Sequence, residues 1–134
     1  MEDAESIARE YFGAFNRRDW DGGRRLLHDE YSYTGRGGVR REGPDAGIAN
    51  SQFYANVSPG LQLEVKNIHS SGDVAVVEFL PTLNGEPIGG QGTDEGGAIP
   101  WICTVLEMKD GKCIRSASIG SRSHRHLAGR RSTR

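Results

Sequence analysis

The sequence predicts an α+β domain, with helices in roughly its first half and strands in the rest. Three observations predict it. Ile7, Tyr11 and Phe15 recur every four residues and share one face of a helix, widened by Ala8, Phe12 and Ala14. Leu61-Gln62-Leu63-Glu64-Val65-Lys66-Asn67-Ile68 alternates apolar with polar residues, the period of a half-buried strand. Short turn sequences at Ser71-Gly72-Asp73 and Lys109-Asp110-Gly111-Lys112 join such strands into hairpins, hence an antiparallel sheet with the helices on one face.

Each element follows from local chemistry. Asp3 stands where its carboxylate can cap the first helix, which ends at Asn16-Arg17-Arg18. Asp19 can cap a short second helix, with Asp21 near its positive end. Gly22-Gly23 weakens this helix, and His28-Asp29-Glu30 is expected at its close. Tyr31 to Thr34 favours strand, and Gly35-Arg36-Gly37-Gly38 breaks it. Pro44 fits the first position of a third helix carrying Ile48, Gln52, Phe53 and Tyr54. Further strands are expected over Val74–Leu80, Ile99–Met108 and Cys113–Ile119. Asn84-Gly85 is a hairpin signal. The glycine-rich stretch from Gly85 to Gly97 reads either as a long hairpin loop or as a lid over a pocket.

Composition bounds the function. With 134 residues and 35% hydrophobic content, the chain suits one domain, read as 1–121, followed by a basic tail over 122–134. The tail holds five of the 17 Lys and Arg residues, which leaves 12 against 18 acids and a charge of about −6 on the rest. A body of that sign repels nucleic acid, so the tail is read as a solvated terminus. No apolar run approaches membrane-spanning length, and Met1-Glu2-Asp3-Ala4-Glu5 is unlike a secretion signal, so a cytoplasmic protein is expected. Cys103 and Cys113 are expected as free thiols on strands. No nucleotide fingerprint, zinc spacing or nucleophile elbow is found, and His124 and His126 lack further ligands; neither cofactor nor metal is expected.

The order of elements, with Tyr11-Phe12-Gly13-Ala14-Phe15-Asn16, Asp19-Trp20-Asp21, Gly43-Pro44 and Phe53-Tyr54-Ala55-Asn56, resembles the nuclear transport factor 2-like superfamily, which includes ketosteroid isomerases and SnoaL-type polyketide cyclases. The resemblance covers most of Ala4 to Gly120. It implies a cone-shaped domain in which a strongly curved antiparallel (mixed) sheet, wrapped by three N-terminal helices, encloses a pocket. It also implies a homodimer formed through the outer sheet face. In ketosteroid isomerase a tyrosine on the first helix donates to the substrate oxygen and one on the third helix supports it; Tyr11 and Tyr54 fall on those positions. That enzyme's base falls near Gly35 and its protonated acid near Cys103, where a glycine and a weakly donating thiol cannot take over the roles.

These readings predict the site. The catalytic candidates are Tyr11 and Tyr54, polarising a substrate oxygen, and one of His69, Asp29 or Tyr33, moving the proton. His69 is in phase with Leu61, Leu63, Val65 and Asn67, and so within reach of the rim. If Cys103 faces inward, as its place at the family's acid position implies, strand alternation brings Trp101 and Val105 in with it, and Ser116, Ser118, Tyr31, Tyr33, Val77 and Phe79 share that wall. Phe15, Trp20 and Phe53 complete the expected contacts; for Phe15, Phe53 and Phe79 core packing competes with ligand contact. Glu78 and Glu107 are expected to face away. The predicted activity is cofactor-free acid–base chemistry (cyclisation, isomerisation, dehydration or epoxide opening) on a polyketide-like or other polycyclic oxygenated substrate. A non-catalytic binding or accessory protein with the same cone is the alternative.

Overall fold

A computed structural model of the chain describes residues 3–35, 37–87 and 102–121. Helix α1 (Ala4–Arg17) starts at Asp3, whose carboxylate accepts a hydrogen bond from the Ser6 N–H at 2.8 Å. It buries Ile7, Ala8, Phe12, Ala14 and Phe15 and ends at Arg18 in the left-handed conformation (φ 61°). Helix α2 (Trp20–Arg25) forms in spite of its glycine pair, because Asp19 accepts from the Gly22 N–H at 2.9 Å. A Cβ on Gly22 would stand 2.2 Å from that carboxylate, so glycine is what allows this cap.

The chain then turns at once into β1 (Leu27–Thr34). His28 and Asp29, expected to close the second helix, are therefore strand residues. The reason is a pairing the sequence does not announce: the Cys113 N–H donates to the Leu26 carbonyl at 2.8 Å and Leu27 pairs with Cys113. After the short β2 (Arg40–Glu42), helix α3 (Pro44–Val57) starts at the proline as expected. The sheet is completed by β3 (Leu61–Ser71), β4 (Val74–Leu83), β5 (Glu86–Pro87), β6 (Ile102–Lys109) and β7 (Lys112–Ser121).

The strand order is β2-β1-β7-β6-β4-β3, with β5 on β4. All neighbours are antiparallel except β1 and β7, which run parallel, so the curved sheet is mixed. Pairing irregularities fall between Val65 and Asn67, between Cys103 and Thr104, and between Glu107 and Met108. Such bulges bend a strand and raise its twist, which is how one sheet wraps around a hollow. Helix α1 lies across β3, β4 and β6, and α3 lies over β1 and β2. Asn16 ties α1 to the edge strand: its amide donates to the Leu63 carbonyl at 3.0 Å and its oxygen accepts from the Leu63 N–H at 2.8 Å.

The core sits at the closed end, where Ile7, Ala8, Leu27, Ala75, Val77, Leu106 and Cys113 are at most 1% exposed. A smaller cluster of Phe15, Ala55 and Leu61 closes the other side of α1, with Trp20 against it. Among the described residues no helix is long and apolar enough to cross a membrane.

Candidate active site

Between α1, α3 and the concave face of the sheet lies a cavity of about 460 Å³. That volume falls in the range that holds a drug-sized molecule. Its greasy wall comes from Phe12, Phe15, Leu61, Leu63, Phe79, Pro81, Ile102 and Leu106. Its polar wall comes from Tyr11, Tyr31, Tyr33, Asn50, Ser51, Tyr54, Thr104, Ser116 and Ser118. These described lining residues include no Asp, Glu, His, Lys or Arg; the polar chemistry is that of hydroxyls and one amide.

The hydroxyls are linked. Tyr31 Oη and Ser116 Oγ share a buried hydrogen bond at 2.5 Å. The Tyr11 hydroxyl lies between Tyr31 on one side and Ser51 on the other, both close enough to ease its ionisation. Burial, then the nearby Cys113 sulfur, pushes the Tyr11 phenol up to about 12, in spite of those two neighbours. Burial and the neighbouring Tyr11 also raise Tyr31 well above the ordinary phenol range. Both phenols therefore stay protonated and able to donate across the neutral range. A second pair, Thr104 and Ser118, shares a hydrogen bond at 3.2 Å further along the wall.

Local backbone features set this geometry. Tyr31 and Tyr33 alternate with Ser32 on β1 and face inward, and the parallel pairing sets Tyr33 opposite Ser116. The Tyr31 ring lies against α3 at Gly47, where a Cβ would come within 2.6 Å of its Cε2. Gly35 continues the inward phase of β1, and a Cβ there would stand 3.3 Å from the Tyr33 hydroxyl.

Of the residues singled out from sequence, Tyr11, Tyr31, Tyr33, Tyr54, Phe15, Phe79, Ser116 and Ser118 line this cavity. Tyr54 does so from the mouth, 53% exposed, rather than from the hydroxyl chain. Trp20 packs on Phe15 with ring centres 5.8 Å apart and is not in the lining. Phe53 is 59% exposed on α3 and also stands outside the lining. Asp29 is an exposed residue of β1, close enough to Arg24 to act on its charge, and does not reach the cavity. Trp101 and most of the Gly85–Gly97 stretch lie outside the described residues, as does the basic tail.

Two phase assignments need correction. His69 is not at the rim. The bulge after Val65 inserts one residue, so Ile68 takes the inward place opposite Val77, while Asn67 and His69 turn outward. There His69 Nε2 lies 3.3 Å from the Glu78 carboxylate, and Asn67 donates to the same oxygen at 3.2 Å. Cys103 and Val105 are not inward either. Cys103 pairs with outward-facing Glu78 and Thr104 with inward-facing Val77, so Ile102, Thr104 and Leu106 line the cavity instead.

Asn50, Ser51 and Thr104 are the polar lining residues that the sequence reading missed. Gly47, Ser51 and Tyr54 follow one another at helical spacing, and that signal marks an inward stripe on α3. Among the described residues no three His, Cys, Asp or Glu side chains group in a way that could hold a metal ion.

The SnoaL-like domain family matches residues 8–116. The chain belongs to the SnoaL-like domain family. Solved structures agree with this. A proposed ketosteroid isomerase from Kribbella flavida is 26% identical, with a TM-score of 0.67 over 84% of this chain and 73% of that one. A proposed polyketide cyclase from Sinorhizobium meliloti is 18% identical, with a TM-score of 0.67 over 84% and 92% of the two chains. An NTF2-like protein of unknown function from Cytophaga hutchinsonii is 10% identical, with a TM-score of 0.68 over 95% and 97%. The curated proteins give no match. As a SnoaL-like chain it has the cone expected from sequence, and the likenesses below 25% identity bear on that fold alone.

Proposed function

We propose that this SnoaL-like chain binds a flat, partly oxygenated small molecule in its cone and acts on it by cofactor-free proton transfer. The single observation that carries this is the hydroxyl chain of Ser51, Tyr11, Tyr31 and Ser116, side by side in the wall of a largely apolar cavity. Tyr11, held protonated, donates to a ligand carbonyl or enol oxygen. Tyr31 beside it, itself bonded to Ser116, helps keep the donor oriented, so less reorganisation is needed as charge develops on that oxygen. Of the three groups proposed to move a proton, Tyr33 is the one in the cavity lining. Polarising the oxygen acidifies the adjacent carbon, the step common to the isomerisations and cyclisations named for proteins of this fold. Self-association through the outer sheet face, along the cross-strand row Val76–Val105–Ala117, belongs to the same reading.

A second reading, binding without turnover, is favoured by one feature. His69 and Asp29 stand outside the cavity and the inward position at 35 is glycine, so the described wall polarises more readily than it deprotonates. The experiment is hydrogen–deuterium exchange α to the carbonyl of 2-tetralone, followed by NMR. The first reading predicts exchange that the wild-type chain accelerates and Tyr11→Phe slows by about 10²-fold or more. Saturable binding with no acceleration selects the second reading. No binding overturns both.

A further inference from the structure

The polarity of the cavity changes along its length. At the closed end Tyr31 and Ser116 are 3% and 4% exposed, and their hydroxyls meet there. At the mouth Tyr54 borders the cavity, and Phe53 stands edge-on to it with ring centres 5.4 Å apart and planes at 76°. These are large side chains whose rings and methyls are left mostly to solvent: Phe53 is 59% exposed, Tyr54 53%, and Val57 one turn further on 64%. An isolated exposed aromatic needs no explanation, but this pair begins in the cavity wall and continues outward from it. The hydroxyl chain can satisfy oxygens only at the closed end. An apolar surface that is continuous with the same cavity is complementary to the unoxygenated remainder of the same ligand.

We infer that Phe53 and Tyr54 form an outer subsite for a flat apolar part of the ligand, so that the molecule this chain takes is elongated, with its oxygens at the closed end and a bare ring at the mouth. The inference rests on the small-molecule reading above. Phe53 is then a specificity residue: its ring stacks edge-to-face on the distal ring of a bound polycycle, a contact that a shorter ligand never reaches.

The test compares 2-naphthol with 2-hydroxyanthracene, which keep the same hydroxyl and differ by one ring. Affinities are measured by fluorescence titration near neutral pH on wild type, Phe53→Ser and Phe53→Tyr. The wild-type chain is expected to prefer the three-ring probe by about tenfold. Phe53→Ser is expected to reduce that preference to about threefold or less while holding 2-naphthol within about twofold, and Phe53→Tyr to restore it. An undiminished preference in Phe53→Ser, with both probes still bound, overturns the outer subsite alone. So does a Phe53→Ser chain whose preference is unchanged while its sedimentation shows a smaller assembly, because Phe53 then belongs to an interface between copies. If neither probe binds wild type, the small-molecule reading itself falls and takes the subsite with it. Thermal unfolding of Phe53→Ser serves as the control; an exposed side chain predicts a midpoint within a few degrees of wild type.

Discussion

Tyr31 and Ser116 stand 85 positions apart in the chain, and their hydroxyls meet at 2.5 Å inside the cone. The bond closes across β1 and β7, the one parallel pair among the described strands, and so ties two neighbouring strands that are far apart in sequence at the floor of the cavity. Ser116→Ala leaves the buried Tyr31 hydroxyl short of a partner. A loss of about 1–2 kcal/mol is expected, read as a lower denaturation midpoint with an unchanged m value. Ser118→Ala, acting on the less buried pair with Thr104, is expected to cost less.

Two glycines make opposite predictions in the same experiment. At Gly47 an added methyl would meet the buried Tyr31 ring at 2.6 Å, and the ring is held by Ser116. Gly47→Ala is expected to destabilise by about 1–3 kcal/mol, outweighing the gain in helix propensity. At Gly23 the nearest atoms stand 3.6–3.9 Å away, ordinary contact distances. Gly23→Ala is expected to be neutral or to stabilise by up to about 1 kcal/mol. Chemical denaturation of both variants decides.

How much of this was legible in the sequence depends on phase. Tyr31, Tyr33, Ser116 and Ser118 were readable because each pair sits on a stretch that alternates without interruption. His69 was not, because one inserted residue near Lys66 reverses every later side chain on β3, and nothing in Val65-Lys66-Asn67 announces it. The orientation of β6 is legible in its own residues. Glu107 is four positions from Cys103, and a carboxylate facing out carries Cys103 and Val105 out with it. The strand at Leu27 was hidden because its partner, Cys113, lies far along the chain.

Alkaline titration reports on the hydroxyl chain directly. The folded Tyr11 phenol ionises at about 12, above its unfolded value of about 10. A raised value means that the folded state holds the proton more tightly. The stabilisation is therefore complete below about pH 10 and is lost as pH rises toward 12. Phenolate absorbance should show a late-titrating tyrosine that Tyr11→Phe removes.

Cysteine labelling tests the two faces of the sheet. Cys113 is fully buried, and burial pushes its thiol up to about 12. A neutral, enclosed thiol reacts slowly. Of the two cysteines, Cys103 on the outer face should be modified by a thiol reagent in the native state, and Cys113 after unfolding.

His69→Ala separates the outer face from the cone. The imidazole pairs with Glu78 on the side of the sheet away from the cavity. Its removal is expected to leave probe affinity within about twofold, since exposed pairs of this kind contribute roughly 0–1 kcal/mol to stability and nothing to the cavity wall.

The ligand's oxygen is placed on the hydroxyl chain of the cavity wall. The most direct measurement is the affinity of 2-naphthol for wild type, Tyr11→Phe and His69→Ala, determined side by side by fluorescence titration. Binding is expected to weaken about tenfold in Tyr11→Phe and to stay unchanged in His69→Ala. Full affinity in Tyr11→Phe, with a loss in His69→Ala, would place the binding site on the opposite face of the sheet and contradict it.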